Sequence, residues 1–333
     1  MFCLTRAKGT SQVPQPDATL AGGRDVRQWS TPSVPPPVQV SPYPYESFES
    51  LMFRVAECNA LGSARGALRA LGAQFPRPSR YCYKYLSPLL GIEPATLAAI
   101  VPTAVDGDLH ILGHQLLRDR HIVRHASRFC PMCVSERGYG ALEWGLAPYA
   151  VCAEHGIYLV DRCACNPRRS LNMFFRHRYF TCVCGADLRN AAVVPASSAA
   201  CKLAKEIRRR FRQEPDQQLD SVFPILNTWP EDAHFGDFLD LMICLGSLAR
   251  ESRAISSHLR QAVYRLDRVT VQFENAADVL SSWRGGFASA FRIANPTVYA
   301  SRGTSDKKFR LLRARAKRYL PPLVYRWLAL QRI

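Results

Sequence analysis

Seven of the chain's 12 cysteines fall between Cys130 and Cys184, and their spacing constrains the fold more than any other feature. Cys130 and Cys133 form a C-x2-C pair, and Cys152 and His155 form a C-x2-H pair. Three thiolates and one imidazole make a closed tetrahedral donor set, suited to a structural zinc ion. Pro131 stiffens the first turn, and one helical turn would place Cys152 and His155, three residues apart, on one face. Cys163 with Cys165, and Cys182 with Cys184, are C-x-C pairs whose four thiolates predict a second zinc ion. A C-x-C pair chelates less comfortably than C-x2-C. His177 could replace one ligand there, or stand solvated or stacked among Arg176, Arg178 and Tyr179. Cys3, Cys58, Cys82, Cys201 and Cys244 are scattered and read as ordinary thiols.

Four protein ligands leave no open position for a water, so the expected zinc is structural rather than catalytic. Glu154 beside His155 invites comparison with zinc deaminases. Their signature places H-x-E before the P-C-x-x-C pair, and here the order is reversed. The sequence has no H-E-x-x-H helix, no glycine-rich phosphate loop and no carboxylate set that assembles into a two-metal site. These absences predict a protein that is not an enzyme.

The chain has 333 residues, enough for two or three small domains or for one domain with extensions, and a formal net charge of +17. An excess of this size suits a polyanion such as DNA, through phosphate contacts and counterion release, although solubility alone is the plainer reading. The charge is unevenly spread. KLAKEIRRRFR (Lys202–Arg212) is strongly basic, as is Arg302–Arg332, whose only acid is Asp306, whereas Glu214–Asp240 is acidic. No apolar run is long enough to span a bilayer, and MFCLTRAKGT lacks the apolar core of a signal peptide. A cytoplasmic protein, nucleoid-associated when it acts and without a membrane partner, is the expectation.

The predicted fold is mostly α with small zinc-ribbon-like β elements. Residues 1–41 read as a disordered Pro-rich leader, 42–128 as a helical, helix-turn-helix-like domain, 129–190 as a double zinc-binding module, and 191–333 as a basic C-terminal helical domain. Helical periodicity predicts helices over Tyr45–Ala60 and Ala64–Gly72. Tyr81–Ile100 reads as two helices about Gly91, with Pro94 opening the second, Glu93 a poor cap and Pro88 interrupting the first. Further helices are predicted over Ala200–Arg212, Phe235–Leu248, Val279–Phe291 and Phe309–Tyr319, with Trp229, Trp283 and Trp327 as core anchors. Candidate nucleic-acid contacts are Arg80, Lys84 and Thr96 on the helix pair, Arg168 and Arg169 between the C-x-C pairs, and Arg208, Arg209 and Arg210 on the basic helix.

The order of these motifs resembles the TniQ/TnsD family of transposon target-selection proteins. The residues that carry the likeness are Cys130-Pro131-Met132-Cys133, Trp144, Cys152-Ala153-Glu154-His155-Gly156, Leu159, Cys163, Cys165 and Cys182-Val183-Cys184-Gly185-Ala186-Asp187-Leu188. Pro42–Asn59 is similar to the family's opening helix, and the likeness extends to about Ile293. The chain departs from the family at Cys163-Ala164-Cys165, where C-x2-C is usual, and in its Pro-rich leader. The resemblance implies an adaptor that recognises target DNA or an RNA-guided CRISPR effector complex and recruits an AAA+ ATPase and a transposase, with a homodimer left open. It implies that the eight Cys/His residues are metal ligands. A stand-alone zinc-binding transcriptional regulator is the alternative.

Overall fold

A computed structural model describes residues 35–72, 83–123, 126–166, 171, 180–214, 223, 226–227, 229–230, 232–247, 265–281 and 322. The side chains of residues 83–85 and 247 are outside this set. Among the described residues the protein is mostly α, with one small antiparallel sheet. None of its described helices is long and apolar enough to cross a membrane.

The first helix, α1 (Phe48–Cys58), starts where Ser47 caps it by accepting the N–H of Ser50. Its entry is fixed by Glu46, a fully buried carboxylate. Glu46 accepts from Ser50 Oγ (2.7 Å), Arg54 Nη1 (2.6 Å) and the Tyr43 N–H (3.0 Å). A buried charge is tolerated only when it is paired and hydrogen-bonded in this way. The apolar face of α1 packs on α2 (Ala64–Ala70), close to the predicted bounds of both helices. Residues 35–41, assigned to the leader by composition, include the buried Val40 and Val38, whose backbone bonds Asn59 in both directions at 2.8 Å. Residues 1–34 lie outside the described set.

The expected helix pair is present. The first member, α3 (Tyr83–Leu90), holds Pro88 inside it, which removes one intrahelical N–H donor, and the helix ends two residues later. Gly91 then turns the chain at φ +63°. The second member, α4 (Pro94–Ile100), begins at Pro94 without a side-chain cap from Glu93. Leu86, Leu90, Leu97 and Ile100 are buried between the two.

A sheet that periodicity did not predict follows. Strands β1 (Thr103–Asp106), β2 (Leu109–Leu112) and β3 (Gln115–Arg118) form an antiparallel meander in order β1-β2-β3. Leu112 pairs with Gln115 across a two-residue turn, Gly113-His114, and both turn residues take positive φ. That is the backbone twist a tight hairpin requires.

Beyond the cysteine region, α6 (Ser198–Arg212) buries Leu203, Ala204, Ile207 and Phe211 completely. It packs on α8 (Leu266–Ser281), which in turn packs on α7 (Phe235–Ser247); α5 (Pro131–Arg137) is described below. The helix predicted over Val279–Phe291 overlaps α8 only at its start; residues 282–291, Phe309–Tyr319, Trp283 and Trp327 lie outside the described set. Trp229 is partly buried and meets Phe238 edge-on at 5.7 Å.

Candidate metal centres

The first cluster is built by two turns that each aim a backbone N–H at a cysteine sulfur. Cys130 is the N-cap of α5 (Pro131–Arg137), and its Sγ accepts from the Cys133 N–H at 3.5 Å. Pro131 fills the first helical position, where its missing N–H costs nothing. The second turn departs from expectation, because Cys152 and His155 sit in a hairpin turn rather than a helix. Val151 pairs with Tyr158, the Cys152 N–H donates to the Ile157 carbonyl (2.8 Å), and Gly156 takes φ +62°. These bonds fold the chain back as β structure, and the His155 N–H still reaches Cys152 Sγ at 3.5 Å. Phe129 pairs with Val160 and so brings the two turns together.

The four ligand atoms converge. Cys133 Sγ lies 3.5 Å from Cys152 Sγ. His155 Nδ1 lies 3.2, 3.5 and 3.7 Å from the sulfurs of Cys133, Cys130 and Cys152. Tetrahedral zinc bonds of usual length require about 3.8 Å between sulfurs and about 3.6 Å between sulfur and nitrogen. The donor set therefore fits a tetrahedral metal with little movement. Electrostatics points the same way. Cys130 and Cys152 hold the Cys133 thiol far above its ordinary range, while Cys130 and Cys133 pull Cys152 down to about 2. Sulfurs this close cannot all ionise unless a cation is shared among them.

The second cluster brings together Cys163, Cys165, Cys182 and Cys184, with Cys163 Sγ 3.7 Å from Cys184 Sγ and Cys165 Sγ 3.5 Å from Cys182 Sγ. Each C-x-C pair supplies one buried and one exposed sulfur. The thiols of Cys184, Cys163 and Cys182 push Cys165 up to about 12. Burial acts to raise Cys182, yet the backbone N–H of Cys184 and the Cys165 and Cys163 thiols bring it down to about 7. The C-G-x-D-L phrase has a physical reading. Gly185 turns at φ +86°, Asp187 caps the 3-10 turn Leu188–Asn190 through the Arg189 N–H, and Leu188 is buried. Phe180 and Phe129, 5.7 Å apart, join the two clusters. His177 lies outside the described residues.

Of the predicted nucleic-acid residues, Thr96, Arg208, Arg209 and Arg210 have described side chains. Thr96 is exposed on α4, Lys84 lies on α3 with its side chain undescribed, and Arg80, Arg168 and Arg169 are outside the described set. Arg208, Arg209 and Arg210 turn out to have partners within the chain. Arg208 bonds Glu154 at 2.8 Å, and Arg209 and Arg210 bond Glu206. Arg210 also stacks over Phe238 at 4.8 Å. The basic helix is thus stitched into the fold along this side, and Lys202 and Lys205 are its exposed cations. Sequence reasoning missed the residues around the first cluster. Glu136 accepts from His155 Nε2 at 2.8 Å, and Glu154 binds both Arg137 and Arg208. Glu136 stands three residues after Cys133 on one helix, and that spacing was the available signal.

These features define a mostly helical protein with two Cys/His clusters able to hold metal ions. The TniQ family model matches residues 37–159, so this part of the chain is similar to a TniQ domain. The match takes in α1, the helix pair, the sheet and all four residues of the first cluster, and it ends before Cys163. No curated protein matches the chain.

Proposed function

We propose that the chain is a target-selection adaptor in DNA transposition, one that recognises target DNA or a targeting complex and recruits an AAA+ ATPase and a transposase. The observation that carries this reading is the TniQ match over residues 37–159. Both clusters are zinc sites in this reading, held by Cys130, Cys133, Cys152 and His155 and by Cys163, Cys165, Cys182 and Cys184. Each set is complete with four protein donors, so zinc would brace the fold and leave no open position for chemistry. The helix pair and the exposed Thr96 suit a macromolecular contact, and Arg80, Lys84, Arg168 and Arg169 are the further candidates.

The experiment is transposition of a marked element in cells that carry the ATPase and transposase, with and without this chain. Targeted insertion should depend on the chain. The double substitution Arg168→Ala with Arg169→Ala should weaken capture of either the target or the ATPase and spare the other. Undiminished targeted insertion without the chain would overturn the reading. The basic charge and helix pair also suit a stand-alone regulator, which would bind a promoter and leave insertion unaffected.

A further inference from the structure

Arg208 was expected to face nucleic acid, and its guanidinium instead bonds Glu154 Oε1 at 2.8 Å. The other oxygen of Glu154 takes Arg137 and lies 3.6 Å from Cys133 Sγ. Glu154 is next in sequence to His155, Arg137 ends α5, and Arg208 belongs to α6. One carboxylate therefore joins the cluster to a helix more than fifty residues away. On the other side of the site, Glu136 Oε1 accepts from His155 Nε2 at 2.8 Å, which leaves Nδ1 free to face the sulfurs.

We infer that Arg208 is a positioning residue for the first metal site, and that metal retention and the docking of α6 are reciprocally coupled through Glu154. The inference rests on the first cluster holding a metal. The argument is one of charge. Three thiolates and a neutral imidazole around a divalent ion carry a net negative charge, and Glu154 adds another beside Cys133. That placement is tolerable in the loaded site because two guanidiniums face Glu154. Glu154 also sits in the turn that carries Cys152 and His155, so its bond to Arg208 holds that turn in the geometry that the loaded site requires. Arg208 thus favours the loaded state over the empty one. By linkage, loading must favour the docked helix to the same degree. Outer-shell partners of this kind typically alter metal affinity by about 10- to 100-fold.

The test uses the full chain loaded with zinc and mixed with a chromophoric chelator. The release phase of the first site is identified in a Cys182→Ser background. Arg208→Gln should speed that phase by about 10-fold or more and leave the second site's phase unchanged. Glu154→Gln should do the same, and Arg208→Lys should recover part of the loss. Lys202→Gln removes an exposed cation from the same helix and should change nothing. Hydrogen exchange over residues 198–212 should rise in the parent when zinc is stripped. Parent-like release from Arg208→Gln, or equal acceleration by Lys202→Gln, overturns the inference and leaves the metal site standing. A folded parent without zinc overturns both.

Discussion

Asp240, on α7, is 4 % exposed and receives three donors: Arg120 Nε at 2.8 Å, Arg120 Nη2 at 2.5 Å and His121 Nε2 at 2.7 Å. The Arg118 N–H donates to His121 Nδ1, so the ring proton sits on Nε2 and points at Asp240. Burial acts to raise this carboxyl, but His121 and Arg120 outweigh it and hold it below its usual range. A carboxyl with a depressed folded-state value contributes stability above the unfolded value, and that contribution disappears as pH falls through the folded one. Asp240→Asn should therefore cost about 3 kcal/mol at neutral pH in urea denaturation. The gap from the parent should narrow below about pH 4. A variant as stable as the parent at pH 7 would show that the contact contributes nothing. None of this was readable beforehand, because Arg120 and Asp240 are paired only by the fold.

At the scale of elements, α7 and α8 approach so closely at Gly246 that a Cβ there would lie 2.4 Å from the Gln272 carbonyl oxygen. Backbone cannot give way as a flexible side chain can, so Gly246→Ala should cost about 1–3 kcal/mol and lower Tm. An unchanged Tm would mean the helices part without cost. Along α6, Arg208→Ala with Arg209→Ala and Arg210→Ala should lower Tm, since these residues bond Glu154 and Glu206. Lys202→Ala with Lys205→Ala should leave Tm unchanged, and if α6 meets DNA it should flatten the log–log salt slope of binding by about 0.9 per lost phosphate contact. The reverse pattern would return the arginines to the DNA face. Elements with strong helical spacing, such as α1, α4 and α6, were legible in sequence. The sheet was not, because β2 buries His110 and Leu112 and leaves Leu109 and Ile111 half-exposed, so its apolar residues do not mark its inner face. In α8 the buried residues Leu266, Val269, Phe273, Ala276 and Leu280 do recur at helical spacing. The β-branched run Val269-Thr270-Val271 obscured it.

For the whole molecule, the two clusters tie together segments that periodicity alone would leave separate. The first joins α5 to the hairpin Val151–Tyr158 and, through Glu154, to α6; the second closes on Leu188 beneath α5. In the proposed reading, eight donors so placed would make metal part of the folding free energy, on the order of 10 kcal/mol or more per structural zinc at neutral pH. Their spacing was legible because metal chemistry fixes it, whereas the outer ring of Glu136, Glu154, Arg137 and Arg208 depends on tertiary approach. The most direct measurement is the metal content of the folded chain by native mass spectrometry. The account predicts two zinc ions per chain, one after Cys182→Ser, and insoluble protein after Cys130→Ala. Soluble, folded protein with no zinc would contradict it.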